Sequence, residues 1–174
     1  ILRERYSVRN ANLNQAISDD ISLLLMNGVE DSLADDERQN LENFINRGGN
    51  LLLTQNRIKT DLATQQASPI VSDIFSVLEL YGINIATNLV LDKNCGKVNV
   101  QQNLGFIRIP VPMDYPFLPI IKKEKFNNTI SLVSGLESLR LMFPSEIVFD
   151  DTNFVIDNIV VTPLFSSSDR STTM

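Results

Sequence analysis

The amino-acid sequence predicts an α/β fold built on a parallel sheet, and residues 21–54 carry that prediction. Residues 21–26 are an apolar run closed by Asn27 and Gly28, a pattern typical of a strand buried on both faces. A helix follows, and residues 51–53 form a second apolar strand. Two strands joined through a helix make one βαβ unit, and this connection leaves its strands parallel.

Signals at both ends define the helix of this unit. Ser32 is expected to be the N-cap, with Asp35 three residues further on as in a capping box. Gly48 and Gly49 are expected to supply the left-handed stop. One helix face is apolar, and its members are Leu41, Phe44 and Ile45.

The rest of the chain is expected to add one more helix and several strands. A second helix is predicted to begin at Ser68 and Pro69 and to end at Gly82. Four prolines between residues 110 and 119 exclude a central strand or a helix there, and they predict an ordered, extended loop. Further strands are predicted at residues 83–85, 89–91, 98–102, 106–109 and 153–161, and residues 139–149 contain strand-like pieces broken by Pro144.

Composition bounds the domain count and the class of partner. With 174 residues, 43% of them hydrophobic, the chain is expected to form one domain at residues 1–165, followed by a polar tail or linker at 166–174. A net charge of −6 argues against nucleic acid as a partner, because a nucleic-acid partner requires a basic face. The first residue is not Met, and the first residues resemble the end of a helix, so an excised soluble fragment is expected.

Catalytic residue types are scarce. The absence of histidine excludes Ser-His-Asp and Cys-His catalysis and argues against a catalytic zinc site. Cys95 lies on a turn between Lys93 and Lys97, but with no histidine base and no nucleophile elbow a chance free cysteine is favoured. Carboxylates at Asp150, Asp151 and Asp157 lack the spacing of a calcium loop, so a solvated turn is favoured there. We therefore expect no cofactor, no metal site and no enzymatic activity.

Two candidate functional surfaces remain. The stiff segment 110–119 could be a preformed docking surface with Met113, Tyr115 and Phe117 as contacts, or a loop folded onto its own domain, and the sequence leaves both open. The second candidate is a small-molecule or glycan site at the carboxyl ends of the strands, where Asn27, Gln55 and Arg57 would line a ligand loop. A solvated connection is the favoured alternative there, because no glycine-rich phosphate loop is present.

Segments spread over nearly the whole chain resemble the GldG-like auxiliary components of ABC-type transport systems linked to gliding motility in Bacteroidetes. The strand–helix–strand of residues 20–53 is the longest of them. The others are Tyr6-Ser7-Val8-Arg9, Leu80-Tyr81-Gly82-Ile83, Asn88-Leu89-Val90-Leu91-Asp92, Asp114-Tyr115-Pro116-Phe117-Leu118-Pro119, Phe143-Pro144-Ser145-Glu146-Ile147 and Thr162-Pro163-Leu164-Phe165-Ser166-Ser167-Ser168.

The resemblance implies an open, mostly parallel sheet of the flavodoxin-like, class I glutamine amidotransferase-like kind, with helices on both faces, a missing first strand and an added β-rich C-terminal part as an option. It also implies a non-catalytic domain in the periplasm of a protein anchored in the inner membrane outside this fragment. The implied partners are the ABC permease and ATPase subunits of the same system. No functional residues follow from the family, because it has no established catalytic motif.

Overall fold

The computed structural model describes residues 2–64, 66–105, 107–149 and 159–174. The chain divides into two compact units, the first made of the residues through Gln55 with Val71–Tyr81 and the second of Asn56–Ile70 with Gly82 onward. The elements in chain order are α1 (Leu2–Arg5), β1 (Leu23–Asn27), α2 (Asp35–Asn46), β2 (Asn50–Thr54), β3 (Ile58–Asp61), β4 (Gln66–Pro69), α3 (Ile74–Leu80), β5 (Ile83–Ile85), β6 (Val90–Asp92), β7 (Cys95–Leu104), β8 (Ile107–Lys122), a 3₁₀ turn (Lys123–Lys125), β9 (Ser138–Arg140), β10 (Ile147–Phe149) and β11 (Ser171–Thr173).

The first unit contains the predicted βαβ arrangement. β1 and β2 are parallel, in a register that runs from Leu23 opposite Asn50 to Asn27 opposite Thr54, and α2 connects them. Leu41 and Phe44 on the apolar face of α2 are fully buried, as the helical spacing predicts. The predicted order of strand, helix and strand and the parallel pairing of the two strands are confirmed.

The glycine pair after α2 ends the helix and makes room for its core. Gly48 has a φ of 91°, the left-handed conformation predicted for the stop. Gly49 is required for a different reason, since a Cβ atom there would lie 2.5 Å from Cζ of Phe44. The ring of Phe44 can therefore pack over the backbone only because residue 49 has no side chain.

The start of α2 differs from the prediction. Ala34, not Ser32, occupies the N-cap position, and its backbone N–H donates to Glu37 Oε2 at 2.9 Å. Asp73, the N-cap residue of α3, accepts the N–H of Leu33, which precedes the N-cap of α2, at 2.7 Å. The predicted helix start is thus displaced by two residues, with Ala34 in place of Ser32 and Glu37 in place of Asp35.

The predicted flavodoxin-like, amidotransferase-like parallel sheet is wrong. β1 and β2 form a two-stranded sheet, and every other strand pair among the described residues is antiparallel. A larger parallel sheet needs a long crossover for each added strand, whereas after Thr54 neighbouring strands pair as antiparallel hairpins, β3 with β4 and β7 with β8. The expected burial of both strand faces fails too, since Leu23 and Leu25 are each 54% exposed.

The second predicted helix begins later than expected. Ser68 and Pro69 lie in β4, which pairs with β3 in an antiparallel hairpin with Pro69 opposite Ile58. α3 starts at Ile74, and Gly82, with a φ of 72°, follows its end as predicted. Proline at the end of an edge strand costs no ladder hydrogen bond, so a Ser-Pro pair suits a strand end as well as a helix start.

The second unit is β-rich and antiparallel. β5 pairs with β10, β6 with β11, and β7, β8 and β9 form a three-stranded sheet in that order. The segment 166–174, predicted as a tail or linker, contributes β11, in which Thr172 lies opposite Leu91. One core cluster of this unit contains Ile121, Phe126 and Val133, and the ring centroids of Phe126 and Phe165 are 5.9 Å apart beside it.

The proline-rich segment 110–119 is part of β8, contrary to the predicted loop. Its prolines occupy positions that tolerate the missing N–H: Pro110 and Pro112 pair with β7 alone, and Pro116 lies in a bulge where the register jumps between Cys95 and Gly96. Their carbonyls remain available, and that of Pro119 accepts the N–H of Leu141 at 2.9 Å.

Some predictions concern residues that the structure does not describe. The predicted strand at 153–161 and the carboxylates of Asp150, Asp151 and Asp157 fall wholly or mostly outside the described residues.

Candidate interaction surface

The longest strand pair of the chain forms a two-stranded ribbon, which we define as residues 96–104 of β7 and 107–115 of β8. The register runs without interruption from Leu104 opposite Ile107 to Gly96 opposite Tyr115. Gly105, with a φ of 66°, lies in the turn between the strands and adopts a conformation that favours glycine.

The ribbon has one apolar and one polar face. Side chains directly opposite each other across an antiparallel pair lie on the same face, and successive residues alternate between faces. We define the apolar face as Val98, Val100, Ile107, Ile109, Val111 and Met113, and Gln102, opposite Ile109, is a polar residue on this side of the ribbon. The polar face consists of Lys97, Asn99, Gln101, Asn103, Arg108, Pro110, Pro112 and Asp114.

The apolar face is open to solvent. Ile107 is 64% exposed, Met113 53% and Val100 43%, and Val98 and Val111 are half-buried. The polar face carries a cross-strand ion pair in which Lys97 Nζ lies 3.5 Å from Asp114 Oδ1. Contiguous exposed apolar patches are uncommon on soluble monomers and usually mark interaction surfaces.

The three predicted contact residues lie along β8 in two environments. Met113 belongs to the apolar face and is exposed, whereas Tyr115 and Phe117 are half-buried at the base of the ribbon. The ring centroids of Tyr115 and Phe117 are 5.3 Å apart, and each ring lies 6.1 Å from the ring of Phe143. Two of the predicted contacts therefore also serve as packing anchors.

Phe143, which packs against the base of the ribbon, has an unusual backbone conformation. Its φ is 51°, a region that bulky residues rarely adopt, and its side chain is buried with Ile58 and Leu89. Its backbone N–H donates to the carbonyl of Phe117 at 2.9 Å. Packing and the hydrogen bond together hold this strained residue in place, so the ribbon projects from a fixed base.

The predicted ligand loop is tied together by its own polar groups. The hydroxyl of Thr54 donates to Asn27 Oδ1, and the N–H of Gly28 donates to the carbonyl of Thr54 at 2.9 Å. The Gln55 amide bonds twice to the backbone of Val29, accepting at 2.7 Å and donating at 2.9 Å. The Asn27 and Gln55 side chains are therefore engaged within the loop itself.

Arg57, the third residue of that predicted site, belongs to the second unit. Its Nε donates to Thr87 Oγ1 at 3.2 Å, and its backbone N–H donates to Ser145 Oγ at 3.3 Å. The structure thus brings Asn27 and Gln55 to one sheet edge and assigns Arg57 to the loops of another unit.

A shallow recess of about 400 Å³ lies at the opposite, amino end of β1 and β2. Its lining includes Asp19, Arg47 and Asn50. Arg47 is already engaged, because its guanidinium bonds to Asp19 Oδ1 at 2.6 Å and to the carbonyl of Ser18 at 2.8 Å. The recess therefore presents little free polar chemistry to a ligand.

Cys95 begins β7 opposite Pro119 and is partly buried, so it lies in a strand and not at the tip of a turn. Across the described residues, no three histidine, cysteine or carboxylate side chains are grouped closely enough to hold a metal ion.

Asp92 is a buried carboxylate that the sequence analysis did not single out. It is 1% exposed and accepts hydrogen bonds from Ser168 Oγ at 2.6 Å, from the N–H of Ser168 at 2.8 Å and from the N–H of Asn94 at 2.7 Å. Burial raises the pKa of this carboxyl, but the hydrogen bonds from Ser168 and Asn94 outweigh that effect and hold its pKa below the ordinary value. Its role is structural, because it ties β11's segment to β6.

Comparison with known proteins gives one match. The model of a family described as ABC-type uncharacterized transport system matches residues 1–174, the full length of the chain. No curated protein and no solved structure matches. None of the helices in the described part of the chain has the length and apolar character needed to span a bilayer.

Proposed function

We propose a function from the premise that the chain belongs to the ABC-type uncharacterized transport system family, whose members are auxiliary components of such systems. In this proposal the chain is a non-catalytic accessory domain that acts by protein–protein contact with the other components of its transporter. The partners we propose are the permease and the ATPase of the same system.

The exposed apolar face of the ribbon is the observation that supports a docking role. Val100, Ile107, Ile109 and Met113 expose large parts of their side chains on one face. Moving apolar surface from water into an interface is favourable by roughly 25 cal/mol for each Å² of area that a partner covers. A partner that covers this face would gain that free energy.

The base of the ribbon favours docking for a second reason. The Tyr115, Phe117 and Phe143 rings and the strand ladder hold the face in one conformation before a partner arrives. A preformed surface loses little conformational entropy on binding, so more of the contact energy is available as affinity. Met113 is the predicted contact that can meet a partner without disturbing this base.

The test is affinity purification of the full-length protein from its native membrane in mild detergent. We expect the permease and the ATPase to co-purify with the wild type, and we expect Ile109→Asn with Met113→Gln to lose them. These side chains are exposed, so the double variant should keep its melting temperature. The matched control, Gln101→Ser with Asn103→Ser on the polar face, should retain both partners.

The proposal fails if the apolar-face variant is folded and still recovers both subunits in the wild-type ratio. Tyr115→Ala and Phe117→Ala are weaker tests, because both rings pack against Phe143 and their loss would disturb the base of the ribbon.

We further propose that the role is the GldG-like one, with the domain in the periplasm and an anchor in the inner membrane lying outside these residues. The support is the sequence resemblance described above. A membrane-impermeant maleimide distinguishes the two sides of the inner membrane. In cells whose outer membrane is permeabilised and whose inner membrane is intact, we expect Asn103→Cys in a Cys95→Ser background to be labelled. Labelling that requires lysis of the inner membrane would refute the placement.

The alternative of a small-molecule or glycan site at Asn27 and Gln55 gains no support from the geometry, because both side chains are bonded within the loop itself. A thermal-shift screen of sugars and peptides is the direct test, and a saturable rise in melting temperature that Gln55→Ala abolishes would revive this function.

A further inference from the structure

The two outer edges of the ribbon differ in their capacity to pair with another strand. Antiparallel ladders alternate between residues whose N–H points to the partner strand and residues whose N–H points outward. Pro110 and Pro112 have no N–H, yet the ladder continues past them opposite Gln101 and Asn99. The β8 residues whose N–H groups point to β7 must therefore be the odd-numbered ones. The proline nitrogens lie on the outer edge of β8, and because they carry no hydrogen they block that edge for a further strand.

The outer edge of β7 has no such block. By the same alternation, its outward N–H groups belong to Lys97, Asn99, Gln101 and Asn103, which are all exposed and none of which is proline. In the part of the chain that the structure describes, β7 pairs with β8 alone. Natural edge strands are usually shielded by proline, bulges or clustered charge, and this edge carries one charged residue, Lys97, within residues 96–104.

We infer that the β7 edge is a self-association site, at which β7 of a second copy of this chain pairs antiparallel about a two-fold axis at Asn99. The result is a continuous four-stranded sheet in the order β8, β7, β7 of the second copy, β8 of the second copy. The pairing does not require the proposed docking to transporter subunits, although it would enlarge the apolar face that this docking uses.

The side chains along β7 favour a second copy of this chain as the partner, with Asn99 opposite Asn99. With the axis at Asn99, Val98 lies opposite Val100 of the second copy twice, on the apolar face. On the polar face, Lys97 lies opposite Gln101 and Asn99 lies opposite itself, so no like charges meet. Each chain carries a net charge of −6, and an edge without carboxylates is a place where two such chains can approach closely.

Pairing would also change the size of the apolar face. A ribbon of two strands about 4.8 Å apart and nine residues long presents roughly 300 Å² on one face, and four strands present roughly 600 Å². A standard protein interface buries about 800 Å² on each partner. The paired ribbon therefore approaches the area of a stable interface, which a single ribbon does not.

The first test measures the mass of the purified 174-residue chain by sedimentation equilibrium over a range of concentrations. We expect a monomer–dimer equilibrium reaching twice the 19.5 kDa chain mass. Gln101→Pro removes an outward N–H without touching the β7–β8 ladder, and it should weaken the dimer at least about tenfold. Arg108→Pro removes an outward N–H from the blocked β8 edge and should leave the dimer unchanged.

The second test fixes the register and does not depend on a proline variant. In a Cys95→Ser background, Asn99→Cys places two thiols opposite each other across the axis and should give a disulfide-linked dimer under mild oxidation. Arg108→Cys on the other edge should not. A chain that is monomeric at every concentration, a Gln101→Pro dimer as tight as the wild type, or cross-linking through residue 108 in place of residue 99 would each overturn the inference.

Discussion

At the scale of single residues, Asp92 shows how a buried charge can be maintained. Its carboxylate is held by three hydrogen bonds from Ser168 and Asn94, two of them from backbone N–H groups. A buried carboxylate without such partners would be protonated or would destabilise the fold. The two Ser168 donors lie 76 positions away in the chain, so the carboxylate links the end of the chain to β6.

Replacing Asp92 by asparagine is expected to destabilise the second unit by about 1.5–3 kcal/mol, because one carboxylate oxygen is replaced by an NH2 group, which cannot accept a hydrogen bond from Ser168 or Asn94. Urea denaturation monitored by far-UV circular dichroism measures this change in the free energy of unfolding; the chain has no tryptophan to serve as a fluorescence probe. The control is Asp169→Asn, whose 91% exposed carboxylate pairs with Lys125 and should cost well under 1 kcal/mol. Equal losses for the two variants would contradict this account.

The lowered pKa of Asp92 makes a pH prediction with a definite sign. Its pKa in the folded chain lies below the 3.8 of a free aspartate, so folding favours the charged form. The stabilisation is complete above the unfolded pKa and is lost as the pH falls through the folded pKa. Melting temperatures measured from pH 6 to pH 2 should therefore fall more steeply for the wild type than for Asp92→Asn below about pH 4. Parallel curves would show that the carboxylate is not responsible.

At the scale of elements, signals in adjacent residues predicted the β1–α2–β2 unit, but they did not predict how strands that are distant in the sequence pair. The β1–α2–β2 unit and the helix stop at Gly48 depend on residues that are adjacent in the sequence, and both predictions are confirmed. The N-cap of α2 was predicted two residues too early, because Glu37, three residues after Ala34, accepts the N-cap N–H in place of the expected pair Ser32 and Asp35. The parallel sheet failed because one crossover does not determine how the following strands pair.

The prolines of β8 illustrate a signal that was present but misread. Pro110 and Pro112 stand at alternate positions, and apolar residues occupy the positions between them, so the segment already has the period of a strand with one blocked edge. Met113 was predicted as a contact from its residue type alone. Its partners on the apolar face, Val98 and Val100, become visible only when the register of β7 against β8 is known.

The blocked edge leads to a prediction about the element itself. Replacing Pro110 and Pro112 together by threonine restores two outward N–H groups, so a strand can then add to β8 as well as to β7. We expect the double variant to form assemblies larger than a dimer, measured by light scattering at matched concentration. The control, Pro69→Thr at the end of β4, should not enlarge the assembly. Unchanged mass for the double variant would mean that these prolines do not protect the edge.

At the scale of the whole molecule, the two units leave different surfaces uncovered. The first unit exposes Leu23, Leu25 and Leu52 on one side of its parallel pair, and the second exposes the apolar face of the ribbon. Composition predicted neither, because a hydrophobic fraction of 43% does not say which apolar side chains find a partner. Membership of a transport-system family, by contrast, was within reach of the sequence, because matching segments extend along nearly the whole chain.

Net charge sets how strongly two copies can associate, and it gives the last prediction. Each chain carries −6, so long-range repulsion opposes the β7 pairing. The one charge of the edge within residues 96–104, that of Lys97, lies opposite the neutral Gln101 of the second copy, so the pairing contains no ion pair across the edge. The Debye length falls from about 30 Å at 0.01 M salt to about 8 Å at 0.15 M, which screens the repulsion between the two bodies. The dimer dissociation constant should therefore fall several-fold between these two concentrations of sodium chloride, measured by sedimentation. Lys97→Gln makes each chain more negative and should steepen the dependence. A dimer that weakens as salt is added would instead indicate an interface held by ion pairs, and the pairing across β7 would have to be abandoned.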